Sequence, residues 1–281
     1  MNKPVEACIN VARREIQVQG AEGPLEARVY SSGARKKVDR LMVFFHSGGF
    51  VEGDLDESDQ FLCRLVECVP DYAVLASRYT LAGEKPFPAA VEDAHAVLKW
   101  AKKNKSSIGW TGKSMVVAGI EAGANLAAVC TLMSRDRGAP ALVGQVLVMP
   151  MLDPGLSTCS MREVAPGADT LDVANSCAAS YRGYLPNAAD RSHPYASPLQ
   201  SSRLRNLPPA LILSAEDDPL RDEAEQYGAK LTSCGVSTTM KRLVPVSVQD
   251  AAARNECACE GAALTEISRF LGTLDGPLST S

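Results

Sequence analysis

The stretch VVAGIEAGANLAAVC, residues 116–130, holds a carboxylate between two glycines: Gly119-Ile120-Glu121-Ala122-Gly123. The apolar run ending in Gly119 predicts a buried strand. The small apolar residues that follow predict a helix, with Leu126, Val129 and Leu132 recurring every third position. A residue on a sharp turn between strand and helix is presented at the top of a sheet. This is the layout of a nucleophile elbow, G-x-S-x-G, with glutamate where serine would stand. A carboxyl group there can act as a nucleophile or as a general base or acid. Histidine, the usual proton shuttle near neutral pH, is scarce: the chain has three, His46, His95 and His193. His95 falls inside a predicted helix and reads as a surface or core-edge residue.

Strands and helices must bring such groups together. REIQVQG and LEARVYSS alternate apolar and polar residues, as half-exposed strands do. LMVFFHSGGF predicts a buried strand over 41–45 that runs into a glycine loop. A helix follows, with Phe61, Leu62, Leu65, Val66 and Val69 on one face. Next come a strand over 72–79 and an amphipathic helix over 87–103 that turns Val91, Ala94, Val97 and Leu98 inward. Beyond the elbow lies a strand over 142–150, then residues 151–207, where a helix near 172–184 is the one periodic segment. ALILSAEDD predicts a strand, LRDEAEQYGAKLTSCG a helix stopped by Gly235, and STTMKRLVPV a last strand. EGAALTEISRFLGTL predicts a last helix burying Leu264, Ile267, Phe270 and Leu271. Apolar strands alternating with helices predict a mostly parallel sheet covered on both faces. Ligands of such sheets bind outside the carboxyl ends of the strands. The loops after Phe45, Gly119 and Ser214 are therefore expected to share one edge.

The 281 residues suit a single large α/β domain, 1–281. A net charge of −4 argues against a nucleic-acid partner, and RKK and KKNK read as solvated edges. No apolar run approaches the ~20 residues of a membrane span. The start, MNKPVEACINVARRE, lacks a signal peptide's apolar core, so a cytoplasmic place is expected. Nine cysteines then read as reduced, mostly buried small hydrophobes. Cys257 and Cys259 form a C-x-C without a second pair or a nearby histidine. Neither a metal nor a cofactor is expected.

HSGGF, SRYTLAGEKPFPAAVEDAHAVLKW, PMLDP, YASPL and SAEDDPLRDEAEQYGAKL, together with the elbow, carry a resemblance over about residues 14–271. They resemble the hormone-sensitive-lipase and carboxylesterase branch of the α/β-hydrolase fold. The resemblance implies an eight-stranded, mostly parallel sheet flanked by helices. It also implies esterase chemistry: serine attacks an acyl carbonyl, histidine shuttles the proton, and a carboxylate orients the histidine. Asp218 matches the family's triad acid, although it also reads as a helix cap. Gly48, Gly49 and Ala122 match the residues whose backbone N–H groups hold the oxyanion, where glycine lets backbone approach substrate closely. His46 supports that loop and Ser47 replaces one family glycine, and both are expected beside the ligand. In the family, helices ahead of the first strand cover the site with the segment between strands six and seven. Here those cap elements are about 1–14 and 151–207, and a shortened cap is expected.

The chain departs from the family plan at two places. Glu121 stands at the serine position, and its side chain is expected to fold into the oxyanion donors, which would lower its pKa, whereas burial near Asp218 would raise it. Counting from the last strand puts Val248 at the histidine position, flanked by Ser247 and Gln249. None of these is a general base near neutral pH. The triad thus reads as dismantled, and three functions stand open. The first is a non-hydrolytic pseudoenzyme that binds a small ligand or a protein partner, a route taken by plant hormone receptors of this fold. The second is an enzyme of altered chemistry, with Glu121 as general base, general acid or nucleophile. The third is residual carboxylic-ester hydrolysis of an acyl-type substrate through Ser47 or Ser247. A homodimer through TTMKRLV and EISRFLGTL is expected by analogy alone.

Overall fold

The computed structural model describes residues 10–33, 37–162, 169–244 and 259–274, with backbone alone for 169–173. Strands β1 (Val11–Gln19) and β2 (Pro24–Ser32) pair antiparallel. β2 also runs antiparallel to β4 (Tyr72–Ser77). Five parallel pairings then join β4, β3 (Val38–Phe45), β5 (Trp110–Ile120), β6 (Gly144–Val148), β7 (Ala210–Ala215) and β8 (Thr238–Leu243). The sheet has eight strands in the order β1-β2-β4-β3-β5-β6-β7-β8. Helices α1 (Asp59–Cys68) and α7 (Glu260–Thr273) cover one face, and α2 (Ala89–Lys103), α4 (Ala122–Arg137) and α6 (Arg221–Ser233) the other. Short α3 (Lys105–Ile108) follows α2, and α5 (Asp169–Tyr184) lies in the long connection between β6 and β7.

Alternation along each central strand divides the core in two. Leu41, Val43, Phe45, Val117 and Ile212 pack with Val91, Leu98, Leu126, Val129 and Leu231. Met42, Phe44, Val116, Leu211 and Leu213 pack with Leu62, Val66, Ile267 and Phe270 on the opposite face. Burying each such side chain contributes about 1.5–3 kcal/mol, and burial on both faces explains why these strands read as unbroken apolar runs.

Three local features differ from expectation. β5 begins at Trp110, four positions early, because the buried indole anchors that end: its Nε1–H donates to the Asp39 carbonyl at 2.9 Å. Helix α3 is an addition, closed by Gly109 in the left-handed region at φ 80°. His95 is buried, which excludes the surface and keeps the core edge of the two expected places; it sits on α2 against α4, with its Nε2 at 2.9 Å from the Ala139 carbonyl. Of the described cysteines, Cys63, Cys130, Cys177 and Cys259 are buried, whereas Cys68 and Cys159 are exposed. Cys257 lies outside the described residues. Among the described residues no helix is long and apolar enough to cross a membrane.

Candidate active site

Glu121 closes β5 and opens α4 with φ 55° and ψ −113°. A non-glycine residue in this region is strained by about 1–3 kcal/mol, so its surroundings must hold it. They do so through the backbone. Glu121 N–H donates to the Val148 carbonyl at 2.9 Å, and the Glu121 carbonyl accepts from the N–H groups of Ala124, Asn125 and Met151 at 3.1–3.2 Å. The flanking glycines leave no room for side chains. A Cβ on Gly119 would stand 2.2 Å from the Gly123 carbonyl carbon, and one on Gly123 would stand 2.1 Å from the Phe45 carbonyl oxygen.

That Phe45 carbonyl begins the neighbouring loop. Gly48 and Gly49 take φ 110° and 59°, and the N–H groups of Val51 and Glu52 close a turn on the Gly48 carbonyl. The loop is braced from below. His46 lies 2.6 Å through Nδ1 from the Ser47 carbonyl and stacks on Tyr79 at 4.3 Å, while the Tyr79 hydroxyl donates to the His46 carbonyl at 3.2 Å. Burial lowers the His46 pKa and keeps its ring neutral. From above, α5 rests on the loop. Tyr184 stacks on Phe50 at 3.8 Å, and Ser180 Oγ occupies the space where a Gly49 Cβ would be.

The two loops meet at the Glu121 side chain. Its Oε2 accepts from the Gly48 N–H at 2.9 Å, and the Gly49 amide also favours the charged form. The expected fold-back into these donors is therefore observed. Of the two opposing effects on its pKa, burial outweighs the amide contacts and raises it. Asp218, on the turn after β7, accepts from the Leu220 N–H at 2.9 Å, which braces the turn ahead of α6; α6 itself starts without a side-chain cap, so the helix-cap expectation is not met. Burial pushes its carboxyl up to about 6, and the Glu121 charge adds to the rise.

The structure thus gathers Gly48, Gly49, Glu121 and Asp218 at one edge, with Ala122 buried as the first residue of α4. Ser47 is half-buried in the same loop. His95 and His193 are used elsewhere; the His193 ring packs on Phe87 and Tyr195, and its Nδ1 accepts from the Tyr195 N–H. Val248, Ser247 and Gln249 lie outside the described residues. Sequence reasoning missed Glu223, whose Oε1 accepts from the Leu152 N–H at 2.8 Å and whose pKa burial raises well above the ordinary value. It also missed Cys177 of α5, whose thiol burial pushes up to about 12, with Glu121, Glu223 and Asp218 adding to the rise. The i, i+4 spacing of Cys177 and Tyr181 on a helix was the available signal.

A parallel sheet with a strained elbow after β5, a glycine loop after β3 and an acidic turn after β7 is one arrangement among many until it is compared. The alpha/beta hydrolase fold family matches this chain over residues 42–246. The chain belongs to that family. Its relatives include esterase LipI of Mycobacterium tuberculosis, 34% identical over 79% of this α/β-hydrolase and 69% of LipI. Carboxylic ester hydrolase LipN of the same organism is 37% identical over 84% of this chain, which spans only 63% of LipN's length. Among solved structures, the Pyrobaculum calidifontis esterase superposes with a TM-score of 0.84 at 34% identity, covering 97% of this α/β-hydrolase and 87% of that chain.

Proposed function

We propose that this α/β-hydrolase is a non-hydrolytic pseudoenzyme whose triad has been dismantled and whose pocket binds a small ligand. The observation that carries this reading is the 2.9 Å hydrogen bond from Gly48 N–H to Glu121 Oε2. In an esterase that amide would stabilise an acyl oxyanion; here the chain's own carboxylate takes it. Glu121 occupies the serine position of the related esterases, and Asp218 keeps the position of the triad acid. Val248 stands at the histidine position, without a group that can carry a proton near neutral pH. Ester cleavage needs a nucleophile and a proton shuttle acting together. Gly48, Gly49 and Ala122 remain as an oxyanion-type cradle beside His46 and Ser47. Part of the same proposal are a single domain over 1–281, cap elements about 1–14 and 151–207, a cytoplasmic place, and a homodimer through β8 and α7.

A short-chain aryl ester assay tests this reading. The expected turnover equals that of buffer, and the double change Glu121→Ser with Val248→His is expected to create activity. Turnover by the natural chain that Glu121→Ala abolishes would overturn it.

The raised pKa values of Glu121 and Asp218 favour a second reading, in which two half-buried carboxyls act as acid and base in an elimination or decarboxylation. In that case the ester assay stays silent, and Glu121→Gln and Asp218→Asn each abolish turnover of the true substrate.

A further inference from the structure

Leu132, Arg135 and Asp136 stand at i, i+3 and i+4 on α4 and so share one face of it. Residues from 192 to 203, in the connection between β6 and β7, meet that face and form with it a surface cleft of about 470 Å³, a size typical of small-molecule sites. The cleft shares no lining residue with the edge that holds Gly48, Glu121 and Asp218. We propose that it is a second binding site, for a small aryl carboxylate held by Arg203.

The walls are fixed by bonds among themselves. Arg135 donates through one nitrogen to the Arg203 and Arg205 carbonyls, at 2.6 and 3.1 Å, and through Nε to Asp136 Oδ1 at 2.9 Å. The other Asp136 oxygen accepts from the Tyr195 hydroxyl at 2.9 Å. Tyr195 N–H donates to His193 Nδ1 at 3.1 Å, their rings meet edge-on at 5.2 Å, and the His193 ring packs on Phe87 at 5.3 Å. Arg203 N–H donates to Ser201 Oγ at 3.3 Å. A lining ordered in advance spares a ligand much of the cost of ordering it.

Those bonds decide which charge is left over. Asp136 is the one carboxylate of the lining; Arg135 neutralises it and both its oxygens are engaged, which leaves a cation little to hold. Arg203 is exposed, and among the described residues its guanidinium makes no hydrogen bond or ion pair. A free guanidinium presents a flat fork of donors that matches the two oxygens of a carboxylate. Exposed Ser202 adds a hydroxyl, and His193, which accepts at Nδ1, carries its proton on Nε2. Leu132, Pro194 and the His193 and Tyr195 rings supply the apolar part of the lining, suited to a flat ring.

The test titrates three probes of like size, benzoate, benzyl alcohol and benzylammonium, into the full chain at constant ionic strength and pH 7.5, with binding read from backbone amide chemical shifts. Benzoate is expected to bind at least tenfold more tightly than the other two, with its saturating shifts at residues 192–203. Arg203→Gln is expected to weaken it at least fivefold. Arg205→Gln, which removes an exposed cation two residues on and outside the lining, leaves it within twofold. Equal or tighter binding of either other probe would overturn the proposal, as would the absence of saturable benzoate binding or shifts centred on the Gly48 loop. So would an affinity unchanged in Arg203→Gln, or an equal loss in both variants, which would mark mere attraction to a basic surface. If Arg203→Gln fails to fold, the ranking of the probes and the place of the shifts on the natural chain still decide. None of these outcomes touches the non-hydrolytic reading, which ester turnover tests separately.

Discussion

Glu121 Oε2 and the Gly48 amide are joined by a 2.9 Å hydrogen bond that spans 73 positions of the chain and ties the β3 loop to the β5 elbow. A hydrogen bond of this kind contributes a net of about 0.5–1.5 kcal/mol. Its loss shows first in local opening. Hydrogen exchange at the Gly48 amide is therefore expected to speed up at least tenfold in Glu121→Ala. It should change little in Glu121→Gln, whose side-chain oxygen still accepts. Equal exchange in the natural chain and Glu121→Ala would show that the contact holds nothing in place.

The elbow glycines make a steric prediction. At Gly119 and Gly123 an added methyl meets backbone, at 2.2 and 2.1 Å, and backbone cannot rotate away as a side chain can. Gly119→Ala and Gly123→Ala are each expected to destabilise by about 3 kcal/mol or more. Gly138, whose φ of 74° leaves open space around a Cβ, is expected to lose only about 1 kcal/mol as alanine, the strain of a left-handed residue. Urea titration of the three variants orders them.

Asp218 predicts a pH dependence of definite sign. Its folded-state value of about 6 lies above the ordinary 3.8, so the folded chain binds that proton more tightly than the unfolded chain. Stability from this group is present at low pH and is lost as pH rises from about 4 to about 6, by about 3 kcal/mol in total. Asparagine keeps the acceptor for the Leu220 amide and cannot ionise. Asp218→Asn is expected to exceed the natural chain in stability at pH 7.5 by about 1–3 kcal/mol, the gap closing near pH 4. A gap that widens toward low pH in denaturant titrations would contradict the assignment.

Glu223 gives a companion case. Burial disfavours its charged form and raises its pKa well above the ordinary value. Glutamine carries no charge and keeps an oxygen that accepts from the Leu152 amide. Glu223→Gln is expected to melt within about 1 kcal/mol of the natural chain, whereas Glu223→Ala loses about 2–4 kcal/mol through the cavity and the orphaned amide. Calorimetry at pH 7 separates the two.

The central strands were legible because burial on both faces leaves an unbroken apolar run, as in VVAG and ALILSA. The elbow was legible because two glycines four apart mark a turn too tight for side chains. The sign of the Glu121 pKa shift was not. Spacing reveals the amides near the carboxylate, but the loss of water around it arises only once α5, the β3 loop and the β7 turn have assembled. His95 was narrowed only to surface or core edge for a related reason: α2 packs against both β1 and α4, so a polar position on its flank is buried by a second layer. Glu223 gave no warning, because a charged residue on an amphipathic helix reads as solvent-facing until its neighbours are known.

The elbow also bears on how such a chain could change. Residue 121 is gripped through its N–H, its carbonyl and two side-chain-free neighbours, none of which depends on what it carries beyond the Cα. It behaves as a socket, delivering whatever side chain is installed to the same spot above the sheet. The side chain can therefore be exchanged without disturbing the backbone contacts of the elbow, although the tie to the Gly48 amide goes with the carboxylate.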